Sequence, residues 1–186
     1  MHHPFEAVDR KRRARWWRWI TAATLLNTVV LSSIGSHLKT CAAPSQIVSY
    51  ELAGTPEKAQ AILDSWHNVL QYAYASLLVD FPYLILYSTA IGLACIWAGV
   101  ILGERHWPGA ALAIPLAWGQ WLAAVLDATE NASLLVMLGP AGPTQPWPAI
   151  AYWCAATKFL LVILGLLYAA YGLAVRIVAR RKVVVD

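Results

Sequence analysis

Four long apolar segments constrain most strongly what this chain can fold into. They cover roughly residues 16–36, 77–102, 110–138 and 149–175. Each reaches the ~20 residues that a helix needs to cross ~30 Å of hydrocarbon. Helices also satisfy their own backbone hydrogen bonds in lipid, which open strands do not. We therefore predict an all-α fold, an integral membrane four-helix bundle, as a single domain over residues 1–186.

The composition supports a membrane location. Hydrophobic residues make up 59% of the chain and charged residues only 13%, whereas ordinary soluble domains are about half apolar and one quarter charged. The ten tryptophans also fit, because tryptophan is enriched at lipid–water boundaries.

Basic residues cluster at the two ends of the chain, and this predicts the orientation. The clusters are Arg10, Lys11, Arg12, Arg13, Arg15 and Arg18, and Arg176, Arg180, Arg181 and Lys182. Because lysine and arginine collect on the cytoplasmic side, we expect a multi-pass protein of the cell membrane with both termini cytoplasmic. Loop 37–66 and the uncharged linker 139–148 then lie outside. Anionic lipid headgroups, rather than nucleic acid, are the expected partners of these clusters, since both border apolar spans. We expect the tails, 1–9 and 183–186, to be poorly ordered.

The first apolar segment could instead be a cleaved signal peptide. It follows a basic stretch and precedes CAA at 41–43, a weak cleavage site. We favour an uncleaved anchor, because the segment is long and contains Asn27. Cys41 and Cys154 both fall on the predicted outer side, so a disulfide between them is one option and two unrelated thiols the simpler one.

A further helix is predicted in the first outer loop, over about residues 56–70. Thr55, Pro56 and Glu57 form a helix start with a hydroxyl cap, a proline in the first turn and an early acid. An apolar face follows at helical spacing, formed by Ala59, Ile62, Leu63, Trp66 and Leu70. This amphipathic helix could lie on the membrane, continue into the second span, or cap the bundle.

Polar residues interrupt three of the spans at the same depth. Asp127, Glu130 and Asn131 are spaced i, i+3 and i+4, so they share one helix face in the outer half of the third span. The outer halves of the second and fourth spans add acidic, phenolic and basic side chains. The predicted polar network and binding site is Asp80, Tyr83, Asp127, Glu130, Asn131 and Lys158.

The energetic cost of charge in lipid explains why these polar side chains are expected to lie together. A charge at the centre of a spanning helix costs at least ~2.5–3.5 kcal/mol, so such residues face the bundle interior and pair. Three acids against one lysine leave an excess of negative charge, which a proton or a bound cation would neutralise. No histidine accompanies Asp127 and Glu130 at the spacing of a di-iron bundle, so no metal site is predicted. No motif indicates a cofactor.

The leading functional hypothesis is a polar pocket that binds a small ligand, a lipid headgroup or a cation. Two alternatives stay open: a structural or accessory subunit in which the network only fixes helix packing, and proton- or cation-coupled transport. Whether the protein is an enzyme stays open as well, because no nucleophile motif specifies a reaction. Small residues at Gly165, Ala169 and Gly172 favour close helix packing, either within the bundle or with a second protomer or larger membrane partner.

Overall fold

The computed structural model describes residues 3–183, with side chains over 3–179, and every regular element in that range is helical. The α-helices are α1 Arg10–Gly35, α2 Ile47–Glu51, α3 Pro56–Ser65, α4 Leu70–Glu104, α5 Ala113–Met137 and α6 Trp147–Val183. Short 3-10 turns occur at Pro4–Ala7, Ser36–Leu38 and Ala110–Leu112. The side chains of Arg180, Arg181 and Lys182, assigned above to the second basic cluster, lie outside the described residues, as does the tail 184–186.

Four helices are long and apolar enough to cross a membrane, namely α1, α4, α5 and α6. This confirms the prediction of four apolar helices. Some of the helices are longer than the apolar segments: α4 begins at Leu70 rather than near residue 77, and it continues through Pro82 without a break. The apolar pattern reports where hydrocarbon could surround a helix, whereas backbone hydrogen bonding continues into the polar flanks.

The four long helices do not pack evenly. Helices α4, α5 and α6 pack pairwise into a three-helix core, whereas α1 packs chiefly along α4. Much of α1 is exposed, including Trp19 at 73% and Leu26 at 68%. The arrangement is therefore a three-helix core with one added helix, and α4 lies at its centre.

Helices α2 and α3 cover one end of the core, which we call the α2–α3 end. Ala59, Ile62 and Trp66 are buried there in an apolar cluster with residues of α4 and α5. The Trp66 indole Nε1 donates to the Leu38 carbonyl at 2.8 Å. Helix α3 ends at Ser65 and a turn precedes α4, so a helix running unbroken over 56–70 is not what forms.

The first residues of the chain are folded against the core, which corrects the predicted disorder of residues 3–9. His3 and Phe5 are buried, and both rings pack against Trp121. The His3 Nδ1 accepts from the Phe5 amide at 3.2 Å, and Glu6 accepts from the His3 amide at 2.9 Å. Two buried rings and a capped turn hold this segment, which is too short to form an apolar run in the sequence.

The structure shows the state of the cysteines and the position of one glycine of α6. Cys41, Cys95 and Cys154 are free thiols, so Cys41 and Cys154 form no disulfide. Gly172 faces inward, since a Cβ there would lie 2.5 Å from the Ala98 Cβ. This end of the small-residue stripe is thus used for packing between α6 and α4.

Candidate functional site

The centre of the polar network is the Lys158 ammonium, which α6 presents to the core. Its Nζ lies 2.6 Å from Asp127 Oδ1 and 2.8 Å from Glu130 Oε2, both on α5. A third carboxylate oxygen, Glu51 Oε2 on α2, lies 3.6 Å away. Lys158 is 6% exposed and Glu130 is fully buried. One buried cation thus joins three helices, and removing one partner of such a group is costly because the others stay buried without compensation.

Through its i, i+3, i+4 spacing, helix α5 supplies the two acids that contact Lys158 and the amide that contacts Asp80. Asp127, Glu130 and Asn131 are all buried on one face. The two acids point to Lys158, whereas the Asn131 amide donates to Asp80 Oδ2 on α4 at 2.7 Å. The structure therefore brings Asp80, Asn131 and the Lys158 group together between α4, α5 and α6.

Tyr83 and Tyr87 of α4 have different roles. The Tyr87 hydroxyl donates to Asp127 Oδ2 at 2.9 Å, so Tyr87 belongs to the buried network. Tyr83 instead lies against α1, where its hydroxyl is 3.2 Å from Thr28 Oγ1. The structure therefore places Tyr83, which we predicted as part of the network, at the edge of the layer rather than on the carboxylates.

Sequence reasoning missed Glu51, the third acid at Lys158. Glu51 is the last residue of the short helix α2 and is only 7% exposed. Burial raises the pKa of its carboxyl, and the Lys158 ammonium opposes that rise. Neither a hydrophobic period nor a span marks the residue, because a five-residue helix in a loop carries too short a pattern. The aromatic Tyr50 beside it was the available sequence hint of an inward-facing segment, and the structure buries it fully.

A cleft of about 280 Å³ opens between α1, α2 and α4 and ends on this network. The acidic groups in its wall are Glu51 and Asp80, and the Asn131 amide lies beside them. Hydroxyl groups of α1 and α4 line the remainder together with three apolar side chains. The full lining is Thr28, Leu31, Ser32, Gly35, Gln46, Ile47, Glu51, Ser76, Leu77, Asp80, Tyr83 and Asn131.

The donor set does not resemble a metal centre. Over the described part of the chain, no three or more His, Cys, Asp or Glu side chains converge as metal ligands would. The carboxylates are instead arranged around an ammonium group and an amide, so this site is suited to ion pairing and hydrogen bonding.

Comparison with known proteins places the chain in no family. No protein-family model, no curated protein and no solved structure matches it significantly. The geometry of the site therefore carries the functional argument alone.

Proposed function

We propose that this is a multi-pass membrane protein that binds a small polar ligand or a lipid headgroup in the cleft between α1 and α4. The observation that carries the proposal is that the cleft ends on buried charge. Its lining includes Glu51 and Asp80, and behind them Lys158 is paired with carboxylates of α5. Ligand sites in general combine an apolar wall with a few convergent polar groups, and this cleft has both.

The rival hypothesis of a purely structural lock explains only part of the layer. A lock requires partners for Lys158, and Asp127 and Glu130 supply them at 2.6 and 2.8 Å. The Asp80–Asn131 hydrogen bond can also lock α4 to α5, but a lock does not require a carboxylate that faces the cleft. It also does not require an open space of about 280 Å³ beside the charges, since close packing is the usual state of an interior.

We further propose that both termini face the cytoplasm and that the α2–α3 end faces outward. The exposed basic residues at the start of α1, such as Lys11, Arg12 and Arg15, would then meet anionic headgroups of the inner leaflet. The cleft and its carboxylates would lie in the outer half of the helices.

A blocking substitution in the cleft tests the proposed binding. Ser32 lines the cleft, and its neighbour Ser33 is exposed on the same helix without lining it. Native mass spectrometry of protein purified in mild detergent, and of protein in nanodiscs made from total membrane lipid, should detect a bound molecule on the wild type. The same adduct should persist on Ser33→Trp and be lost from Ser32→Trp.

Both tryptophan variants should keep the wild-type helical circular dichroism, since α1 packs chiefly along α4 and both serines are exposed. Equal adduct on the two variants, or none on the wild type in either preparation, would overturn the proposal.

A further inference from the structure

The charges that line the cleft identify the chemistry of its occupant. Two carboxyl groups belong to the lining of this space, those of Glu51 and Asp80. No lysine, arginine or histidine belongs to the lining. The remaining polar groups are hydroxyls and amides, which accept hydrogen bonds as readily as they donate them.

The nearby lysine compensates these two acids only in part. Its ammonium is held by Asp127 and Glu130, at 2.6 and 2.8 Å. The Glu51 carboxylate is farther from the ammonium, with Oε2 at 3.6 Å, and so has the longest of the three ion pairs. Asp80 receives only the neutral Asn131 amide. A carboxylate with one distant or neutral partner keeps acceptor sites that a ligand donor can use.

We infer that the cleft binds an organic ammonium group, carried by a free amine or by an amine-bearing lipid headgroup, between Glu51 and Asp80. An ammonium donates several charge-assisted hydrogen bonds and would offset the excess of negative charge in the layer. Tyr83 belongs to the same wall, and aromatic rings attract cations. The space is at the small end of the range for organic ligands, which fits a headgroup or a short amine.

This inference rests on the proposed function, and matched probes test it separately. Ethanolamine and ethylene glycol share a skeleton and differ in the ammonium group. Thermal unfolding of the detergent-purified protein should shift upward with ethanolamine and stay unchanged with ethylene glycol. Nanodiscs of phosphatidylethanolamine and of phosphatidylglycerol supply the lipid form of the same comparison, with bound lipid counted by native mass spectrometry.

Variants assign the effect to the cleft. Asp80→Asn keeps an oxygen for the Asn131 amide and removes the charge, so affinity for the ammonium probe should fall about tenfold or more. Glu51→Gln should act in the same direction. Asp64→Asn removes an exposed acid of α3 that does not line the cleft and should leave the affinity unchanged.

Each outcome decides between the two claims. A response to ethanolamine indicates a free amine, and a preference for phosphatidylethanolamine without that response indicates a lipid source; both support the inference. A molecule that is displaced by Ser32→Trp but shows no preference for ammonium overturns the inference and leaves the proposed function standing. No occupant of any kind overturns both.

Discussion

The Lys158 ammonium compensates carboxylates that reach it from α2 and α5, at distances between 2.6 and 3.6 Å. Lys158→Met removes the charge and leaves Asp127 and Glu130 buried without a cation. We expect the substitution to lower the free energy of unfolding by about 3–5 kcal/mol, as for other broken buried ion pairs. Denaturation of the purified protein followed by circular dichroism measures this loss.

Neutralising the partners should reverse part of that loss. The triple variant Lys158→Met, Asp127→Asn, Glu130→Gln removes both buried carboxylates of α5 together with the cation. It should therefore be more stable than Lys158→Met alone. Simple addition of the three destabilisations would show that the groups are not coupled.

For individual residues, the sequence predicts the depth in the bundle but not the partner that a side chain meets. The shared depth of Asp127 and Lys158 is readable, because helix rise and span direction place both in one half of the bundle. The choice of Tyr87 over Tyr83 as the partner of Asp127 is not readable, since both tyrosines lie on the Asp80 side of α4 and only the rotation of α4 against α5 separates them. Predicting the position of Glu51 would have required the path of a loop, which no periodic pattern encodes.

At the scale of elements, the segment before α1 is held by His3, whose folded surroundings disfavour the charged imidazolium. Burial lowers the pKa of His3, against a smaller opposing effect of Glu6. Its contribution to docking is therefore complete above the ordinary value of about 6.5 and is lost as the pH falls below it toward the folded value. Protonation of Nδ1 would also remove the acceptor for the Phe5 amide.

Hydrogen exchange of residues 4–9, corrected for intrinsic rates, should therefore accelerate between pH 7.5 and 5.5. His3→Asn keeps a capping acceptor and removes the titration, so its corrected exchange should not change with pH. The same acceleration in His3→Asn would contradict this role of His3.

Replacing each of two glycines by alanine tests the close packing of α6 on α4. Gly172→Ala places a Cβ 2.5 Å from the Ala98 Cβ and should destabilise the protein by about 1–3 kcal/mol through overpacking. Gly103→Ala, also in a helix, has no atom nearer than 3.9 Å and should be neutral or stabilising by up to about 1 kcal/mol. Thermal unfolding of both variants in one detergent measures the contrast, and equal effects would exclude overpacking as the cause.

For the molecule as a whole, hydropathy predicted the four helices but not their packing. Apolar side chains serve equally well against lipid and against protein, so the pattern of α1 resembles that of a core helix although Leu26 is 68% exposed. Helix α1 packs chiefly along α4, and this placement depends on how side chains fit together, which hydropathy does not record. The buried Phe5 illustrates the same limit, because a single aromatic residue before a basic stretch has no period to read.

The proposed orientation of the whole molecule can be measured with the thiols it already contains. Cys41 is exposed and free, and it follows α1 in the segment that leads to the α2–α3 end, whereas Cys95 is buried. A membrane-impermeant maleimide added to intact cells, or to spheroplasts where an outer barrier is present, should therefore label the wild type. Cys41→Ser should lose most of that labelling, with only a minor remainder at the partly exposed Cys154.

A cysteine at the opposite end supplies the control. Glu104 is exposed at the end of α4, and replacing it leaves the lysine and arginine distribution intact, on which orientation chiefly depends. In a Cys41→Ser, Cys154→Ser background, Glu104→Cys should react only after the membrane is permeabilised. Labelling of Glu104→Cys in intact cells, together with no labelling of Cys41 in the wild type, would show the opposite orientation. The carboxylate cleft would then lie in the cytoplasmic half of the helices.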